Sequence, residues 1–458
     1  MKTLNEQEIV ELSMNSLSSR GYGVAACART GQEIEVAHTL PQERVRAEMR
    51  TKQRGTRKAR LLEIIQPSKH RVHTPCEHAQ ICGGCSWQHM DYAAQLKEKM
   101  DRVTLAFGKD SIVQPILAAS HIFRYRNKME FTFSKNRAGT HYLGLMIAQA
   151  EPYVYNTQEC HLCHPWFSAI LHAIRAWWEK SGLTAYHPIK DEGTLRYLTL
   201  RDAMNSQKRM VILNVSGRAE FAPPRLVLDA FVEAVQMAAG FDTSIFLRIH
   251  QTKKGRPTQF FEMHLAGPDH ILEELHLQRG TLSCKISPSS FFQPNTKQAE
   301  RLYDTALHLL APFQPTLIYD LYCGTGTLSM AASQIASRVI GIELSPEAVL
   351  DAKENLTRNG ISNCTILQGD VGATLATLTK EKPDAVILDP PKAGLDPLAL
   401  HHLRTLRPKI ILYISCNPLT QADNVRELIQ EGYKIQTLQP LDQFPHTYHI
   451  ENIALLVR

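Results

Sequence analysis

At 458 residues, with 43% apolar and 21% charged positions, the chain has an ordinary globular composition and enough length for two or three separate cores. No apolar run reaches membrane-spanning length, and the opening MKTLNEQEIVELSMNSL sets polar and acidic residues where a signal peptide needs an apolar centre, which argues against a membrane or secreted protein. A cytoplasmic location is therefore expected, in which the ten cysteines stay reduced or bind metal. The net charge of +6 is unevenly spread: Gln42 to His73 holds ten Lys/Arg against three acids. Basic charge gathered at one end is the footprint of a phosphate-backbone binder.

Residues 1–66 alternate apolar and polar over short runs, with turn signals at Gly21-Tyr22-Gly23, Thr30-Gly31 and Leu40-Pro41. The pattern predicts a small β-barrel of about five strands, OB-like, holding single-stranded nucleic acid in a basic groove. Tyr22, between two glycines, is a candidate to stack on a base. Cys76, Cys82 and Cys85 then fall within ten residues, around the pair Gly83-Gly84. In a reducing compartment such clustering points to a shared soft metal, with Cys160 or Cys163 of QECHLCHPW as the fourth ligand. Four thiolates suit a [4Fe–4S] cluster; zinc fits the same set, with His161 or His164 as alternative ligands.

Asp91 to about Phe107 has apolar residues at helical spacing. From Phe123 to Met263 short β-like runs follow one another (MEFTFS, HYLGLMI, LRYLTLRDA, RMVILNVSG, SIFLRIH, FFEMHL), with helical stretches after Pro165 and Pro223. Residues 67–275 thus read as an α+β domain on an antiparallel sheet, with the cysteines attached. The basic loop His250–Arg256 reads as solvated; Arg124, Arg126 and Lys128 are candidate phosphate contacts or an ordinary strand edge.

From 276 to 458 strands and helices alternate. Strands are expected at 317–321, 338–342, 364–367, 385–388 and 410–414, giving a mainly parallel α/β sheet closed by an antiparallel pair, GYKIQTLQP and HIENIALLVR. LIYDLYCGTGTLSM, from Leu317 to Met330, is a strand, a turn through Gly324 and Gly326, and a helix start. Position 329 is Ser, so the dinucleotide fingerprint G-x-G-x-x-G fails, and no G-K-[ST] follows Gly326. What remains is Glu343 at the end of RVIGIE, placed to accept hydrogen bonds from two ribose hydroxyls. A ribose-bearing cofactor without an essential pyrophosphate points to S-adenosylmethionine. Asp370 in LQGD, Asp389 in VILDPPK and Cys416 in LYISCNP share the carboxyl ends of the strands, where such folds gather ligands. The prolines after Asp389 and Asn417 stiffen both exits, and a thiol beside a cofactor is placed as a nucleophile.

FFQPN, DLYCGTGT, GIELSPEAV, ILDPPKAG, YISCNP and HTYHIEN, in that order, resemble the RNA uridine-C5 methyltransferases, which have a Rossmann-like class I methyltransferase domain. CEHAQICGGCSWQH and the basic segment before it resemble the TRAM-domain, iron–sulfur branch acting on 23S ribosomal RNA. The resemblance implies that Gln293, Tyr322, Glu343 and Asp389 contact S-adenosylmethionine, with Gly324 and Asp370 in the same site. It implies Cys416 as nucleophile, Glu451 as base, and Cys76, Cys82, Cys85 and Cys160 as cluster ligands. Lys392 departs from the arginine common after the two prolines, which removes a planar bidentate donor. His446 and His449 flank the base, where they orient the uracil or pack.

This reading expects a monomer that makes 5-methyluridine. Uracil C5 is a poor nucleophile until a thiolate adds to C6, and a base must afterwards remove the C5 proton. Two rivals stand beside it. One is methylation of transfer RNA or of an exocyclic nitrogen, although an aromatic often follows the Pro-Pro pair in nitrogen methyltransferases and Lys392 stands here. The other is a non-catalytic RNA-binding or assembly protein. The cluster is expected to be structural, because the chain has no radical-generating C-x3-C-x2-C run.

Overall fold

The computed structural model describes residues 8–27, 31–50, 57–148, 153–252, 255, 258–378 and 381–458. Lys52, Arg54, Lys253, Lys254 and Arg256, all in the basic stretches singled out above, lie outside the described residues. Among the described residues no helix is long and apolar enough to cross a membrane.

The N-terminal unit holds β1 (Ile9–Ser13), β2 (Ser16–Leu17), β3 (Gly23–Ala26), β4 (Glu33–Val36), β5 (Arg44–Met49) and β6 (Arg57–Gln66). They form one sheet in the order β1-β5-β6-β4-β3-β2. Alternation builds it: in β5, Val45, Ala47 and Met49 are buried while Arg44 and Arg46 face out, and the inward face gathers Leu12, Met14, Ile34 and Val36. The register of β5 on β6 shifts at Arg44/Val45 and at Arg46/Ala47; such bulges bend a strand. The sheet rolls until β1 touches β3, although three strands separate them in the order. Where a small OB-like barrel of about five strands is expected, the unit has six strands in a rolled sheet, and among the described residues no ladder joins β1 to β2.

Helix α1 (Tyr92–Phe107) begins at Asp91, whose side chain accepts from the Ala94 N–H. Its buried stripe is Gln95, Lys99, Val103 and Ala106, so two polar residues occupy the face that hydropathy reserves for apolar ones. A second six-stranded sheet follows, with β7 (Lys128–Lys135), β8 (His141–Gly144), β9 (Leu195–Ala203), β10 (Lys208–Ser216), β11 (Ser244–Gln251) and β12 (Gln259–Ala266), in the order β12-β11-β10-β9-β7-β8. Helices α2 (Trp166–Ser181) and α3 (Arg225–Ala239) cover one face around Phe131, Phe167, Trp178 and Phe231. The sheet is not wholly antiparallel as expected: β10 and β11 run parallel, because α3 carries the chain back between them.

The hairpin β13 (Ile271–Leu277) and β14 (Gly280–Ile286) follows. The boundary expected between residues 275 and 276 cuts through β13, and the hairpin packs into the C-terminal core through Leu275, Leu282 and Ile286. Beyond it come α4 (Thr296–Leu310), β15 (Leu317–Leu321), α5 (Thr327–Ala332), β16 (Arg338–Glu343), α6 (Pro346–Arg358), β17 (Cys364–Gln368), α7 (Val371–Thr377), β18 (Ala385–Leu388), α8 (Pro397–Leu406), β19 (Ile410–Ser415), α9 (Pro418–Gln430), β20 (Lys434–Leu441) and β21 (Glu451–Val457). The sheet order is β17-β16-β15-β18-β19-β21-β20. β15 to β19 are parallel, and β21 inserts antiparallel between β19 and β20. The order reverses at β15, so a crevice opens between β15 and β18 at the carboxyl edge.

Candidate active site

The crevice begins at the turn leaving β15. Tyr322, Gly324 and Gly326 all have left-handed φ, of 66°, 55° and 77°, which packs a sharp reversal into five residues. A Cβ on Gly326 would stand 3.1 Å from that of Ala352, so α5 can start against α6 only through glycine. Glu343, at the end of β16, is fixed by this turn. Its Oε2 accepts from the Gly324 N–H at 3.0 Å and its Oε1 from the Ser345 N–H at 2.8 Å. Each carboxylate oxygen keeps a second lone pair for a ligand hydroxyl.

Tyr322 and Asp370 flank the same mouth. The Tyr322 hydroxyl donates to Asp396 Oδ2 at 3.0 Å, while Asp396 also caps α8; the phenol is already spent, and the ring face is what remains for a ligand. Asp370 is exposed and caps α7, accepting from the Ala373 N–H at 3.0 Å. Asp320, one strand layer below, is buried and bonded by the Ser329 hydroxyl. Burial pushes its carboxyl up to about 7, against the Ser329 bond and with the charges of Asp389 and Glu343 adding to the rise.

Gln293 lies in the loop before α4 and is 8% exposed. Its Oε1 accepts from Gln443 Nε2 at 3.2 Å, and its carbonyl accepts from Asn127 Nδ2 at 2.9 Å. This loop is thus pinned by the central unit, and Asn127 went unnoticed in the sequence because nothing local marks it.

At the other side of the crevice, Asp389 leaves β18 half-buried, its carboxyl pushed up by burial to about 7. Cys416 leaves β19. The antiparallel ladder pairs Ser415 with Asn452 and runs evenly from Ile410/Val457, so the next step along the same register sets Cys416 opposite Glu451. The Cys416 thiol is pushed up to about 11, first by burial, then by the carboxylates of Glu451 and Asp389, with Lys392 opposing. Glu451 is itself buried, and burial and Asp389 hold its carboxyl well above the usual range. One sulfur and two reluctant acids therefore meet at one edge, as groups prepared for proton and covalent chemistry do.

His446 and His449 are both held neutral, pushed down to about 4 by burial, with Lys99 next for the first and Lys392 for the second. The His446 ring lies 4.5 Å from that of Phe123, its Nδ1 is 3.2 Å from Gln95 Nε2, and its main chain is bonded on both sides, so it is both packed and hydrogen-bonded into place.

Cys76, Cys82, Cys85 and Cys160 line one cavity with Tyr155, His161 and Gln88. All are free thiols. Cys163 is fully buried and donates its S–H to Cys160, which draws the Cys160 thiol down to about 7. Among the described residues no three His, Cys, Asp or Glu are arranged to hold a single metal ion. Arg124, read as a phosphate contact, instead braces these loops: it donates to the Cys163 carbonyl at 2.7 Å and pairs with Glu159. Part of the N-terminal basic charge is also paired with carboxylates of the same unit. Arg71 pairs with buried Glu43 at 2.5 Å, Arg46 with Glu63 at 2.9 Å, and Arg60 with Glu48 at 3.1 Å. Tyr22 lies under Arg20, 5.6 Å from its guanidinium.

Comparison with known proteins agrees with this geometry. Residues 258–458 match the model of the tRNA (uracil-5-)-methyltransferase family. An RNA methyltransferase of Protochlamydia amoebophila is 45% identical, covering 92% of this chain and 99% of its own; another, of Caldanaerobacter subterraneus, is 34% identical over 98% of each. The crystal structure of the Pyrococcus abyssi tRNA (uracil-54, C5)-methyltransferase, solved with S-adenosyl-L-homocysteine, superposes with a TM-score of 0.75 at 25% identity, covering 98% of this chain and all of that one. The chain thus belongs to the S-adenosylmethionine-dependent RNA methyltransferases, and its residues 258–458 match the tRNA (uracil-5-)-methyltransferase family within them.

Proposed function

We propose that this enzyme methylates C5 of a uridine in 23S ribosomal RNA, with Cys416 as nucleophile and Glu451 as base. The carrying observation is their cross-strand placement beside Asp389 at the mouth of the crevice. S-adenosylmethionine, when bound, supplies the methyl group as an electrophilic sulfonium substituent. Gln293, Tyr322, Gly324, Glu343, Asp370 and Asp389 are the chain's contacts for it, with Glu343 oriented in advance by two backbone N–H groups.

The thiolate of Cys416 adds to C6 of the uracil, and the displaced π pair makes C5 nucleophilic. After methylation C5 carries both the methyl group and its original hydrogen. Glu451 takes that proton, the C–H pair becomes the C5–C6 double bond, and the C6–S pair returns to Cys416. The Glu451 carboxylate raises the proton affinity of the Cys416 thiol, while burial and Asp389 raise that of Glu451; a base whose carboxyl is pushed up by burial is also the stronger acceptor once ionised. A stacked target base must first turn out of its helix, at about a few kcal/mol. The outward arginines of the N-terminal sheet supply sites for phosphate, since exposed ion pairs with carboxylates contribute little and exchange readily.

The cysteine cavity supports the ribosomal branch. Four thiols line one cavity, though among the described residues no three His, Cys, Asp or Glu are arranged to hold a metal ion. Donor chemistry alone speaks for a cluster: four soft thiolates suit iron–sulfur, and zinc fits the same set. Cys76, Cys82, Cys85 and Cys160 would hold the cluster, and its contribution there is to tie two loops together. A transfer-RNA substrate is the second reading, favoured by the whole-chain likeness to the Pyrococcus abyssi enzyme. One experiment separates them: purified enzyme is given unmodified 23S ribosomal RNA and unmodified transfer RNA, and 5-methyluridine is mapped in each. Product in ribosomal RNA, abolished by Cys416→Ala, is expected. Product in transfer RNA alone establishes the second reading, and turnover by Cys416→Ala refutes the nucleophile.

A further inference from the structure

Glu451 opens β21 directly after the segment Asp442–Ile450 that leaves β20. Five successive carbonyls of that segment each accept a hydrogen bond from a different residue. Asp442 O accepts from Gln298 Nε2 at 2.9 Å, Gln443 O from Asn295 Nδ2 at 3.1 Å, and Phe444 O from Lys99 Nζ at 3.0 Å. Pro445 O accepts from the Tyr125 hydroxyl at 3.0 Å, and His446 O from the Trp87 N–H at 2.9 Å. Gln95 completes the grip: its Oε1 accepts from the His446 N–H at 2.8 Å, and its Nε2 donates to the Trp87 and Met90 carbonyls at 3.1 and 2.9 Å.

Three of these residues hang from the cysteine loops. Trp87 follows Cys85 by two positions and is fully buried. Gln95 is bonded to Trp87. Tyr125 stands between Arg124 and Arg126, whose N–H groups donate to the His161 and Leu162 carbonyls at 2.9 and 2.8 Å. The contacts reach from the central unit across more than three hundred residues of chain. A loop needs this many external bonds only if water does not serve it, and with the carbonyls of 442–446 all fixed this part of it has little freedom left.

We propose that Gln95, Trp87 and Tyr125 are positioning residues for proton abstraction: through residues 442–446 they fix where Glu451 stands relative to C5 of the adduct on Cys416. The proposal rests on the uridine-C5 chemistry assigned above. Proton transfer demands contact within hydrogen-bond reach; the loop meets the cofactor side through Gln443, which donates to Gln293 Oε1 at 3.2 Å, whereas Gln95 and Tyr125 grip it further on, at His446 and Pro445. The step served is the last one, in which the carboxylate takes the C5 proton, the double bond re-forms and the sulfur leaves.

The test uses the full-length enzyme, S-adenosylmethionine and RNA carrying tritium at uridine C5. In the wild type, methyl incorporation and tritium release rise together. In Gln95→Leu, cofactor affinity and first-turnover methylation persist, while tritium release lags by about tenfold, the scale of a small misplacement of a reacting group. RNA then remains attached to Cys416 on a denaturing gel. Tyr125→Phe removes a single hydroxyl and keeps the ring; the same lag, smaller, is expected, and this variant carries the test if Gln95→Leu does not fold. Release that keeps pace with methylation in the variants overturns the proposal. So does a joint loss of cofactor binding, methylation and release, which marks a merely structural role. A wild type that methylates RNA without releasing C5 tritium instead overturns the underlying chemistry.

Discussion

The side chain of Asn417 donates to the Lys392 carbonyl at 3.2 Å, tying the exit of β19 to the exit of β18 and setting a lysine charge beside the Cys416 sulfur. That charge is the one influence from a neighbouring side chain that lowers the thiol, which burial and the carboxylates of Glu451 and Asp389 still hold up at about 11. The sign follows: near neutral pH the thiol form dominates, and the reactive fraction grows about tenfold per pH unit until the pKa is reached. Removing the lysine charge raises the pKa further and shrinks that fraction. Lys392→Met is therefore expected to slow alkylation of Cys416 by iodoacetamide about threefold near neutral pH, with the whole pH profile displaced to higher pH. A profile that does not move shows that Lys392 is screened from the sulfur.

Glu343 serves the other side of the crevice. Its carboxylate holds the Gly324 and Ser345 N–H groups at 3.0 and 2.8 Å, so its loss removes a ligand acceptor and also releases the glycine turn. Glu343→Ala is expected to weaken S-adenosylmethionine binding by about a hundredfold, the scale of losing charge-assisted hydrogen bonds. Glu343→Gln, which keeps one acceptor oxygen, loses less. Isothermal titration gives both affinities. Alkylation of Cys416 should be unchanged in either variant; a parallel loss of thiol reactivity would mean that the crevice as a whole had collapsed.

The parallel sheet was legible in the sequence because each of its strands is a short apolar run that ends at a turn residue or an acid. β15 and β18 begin and end where the runs do, and β16, β17 and β19 extend one residue further. Glu343, Asp389 and Cys416 were legible for the same reason: a strand end is a local signal, and fold topology puts strand ends together. The bracing of the site was not. Gln95 and Lys99 are spaced like surface residues of an amphipathic helix, and only partners on the far side of the molecule make their burial tolerable. Arg124 stayed open between a phosphate contact and a strand edge because its carbonyl partners, those of Cys160 and Cys163, carry no mark in sequence. The roll of the N-terminal sheet likewise depends on bulges in β5 and β6, which alternation does not reveal.

Cys82 and Cys163 should behave differently on substitution. Cys82 lines the shared cavity, whereas Cys163 lies behind it and donates to Cys160. Cys82→Ala is expected to abolish iron incorporation on anaerobic reconstitution and to lower the thermal midpoint, because loops joined through a cluster lose their tie. Cys163→Ala keeps the four-thiol set, so its iron content should match the wild type, with a loss of about 1 kcal/mol in stability for the buried thiol. Visible absorbance, iron analysis and thermal melting check all three outcomes. An active, equally stable Cys82→Ala protein would remove the structural role assigned to the cavity.

Lys99 and Asp442 form an ion pair at 2.5 Å with both side chains fully buried. It joins α1 to the end of β20 at the start of the loop that leads to Glu451. Burial alone would expel such charges, and it draws the Lys99 ammonium below its ordinary pKa even with the carboxylate beside it. The pair persists because its remaining valences are met: Lys99 also donates to Phe444 O, and Asp442 also accepts from the Tyr92 hydroxyl at 2.9 Å and the Phe444 N–H at 3.1 Å. Lys99→Met leaves a carboxylate without its cation and a carbonyl without its donor, and is expected to destabilise by about 3 to 5 kcal/mol. Asp442→Asn keeps an acceptor oxygen for the lysine and removes only the charge, so its cost should be smaller. Urea unfolding followed by tryptophan fluorescence orders the two; the reverse order would show that the lysine is uncharged in the folded protein and that the carboxylate is held by Tyr92 and the Phe444 N–H alone.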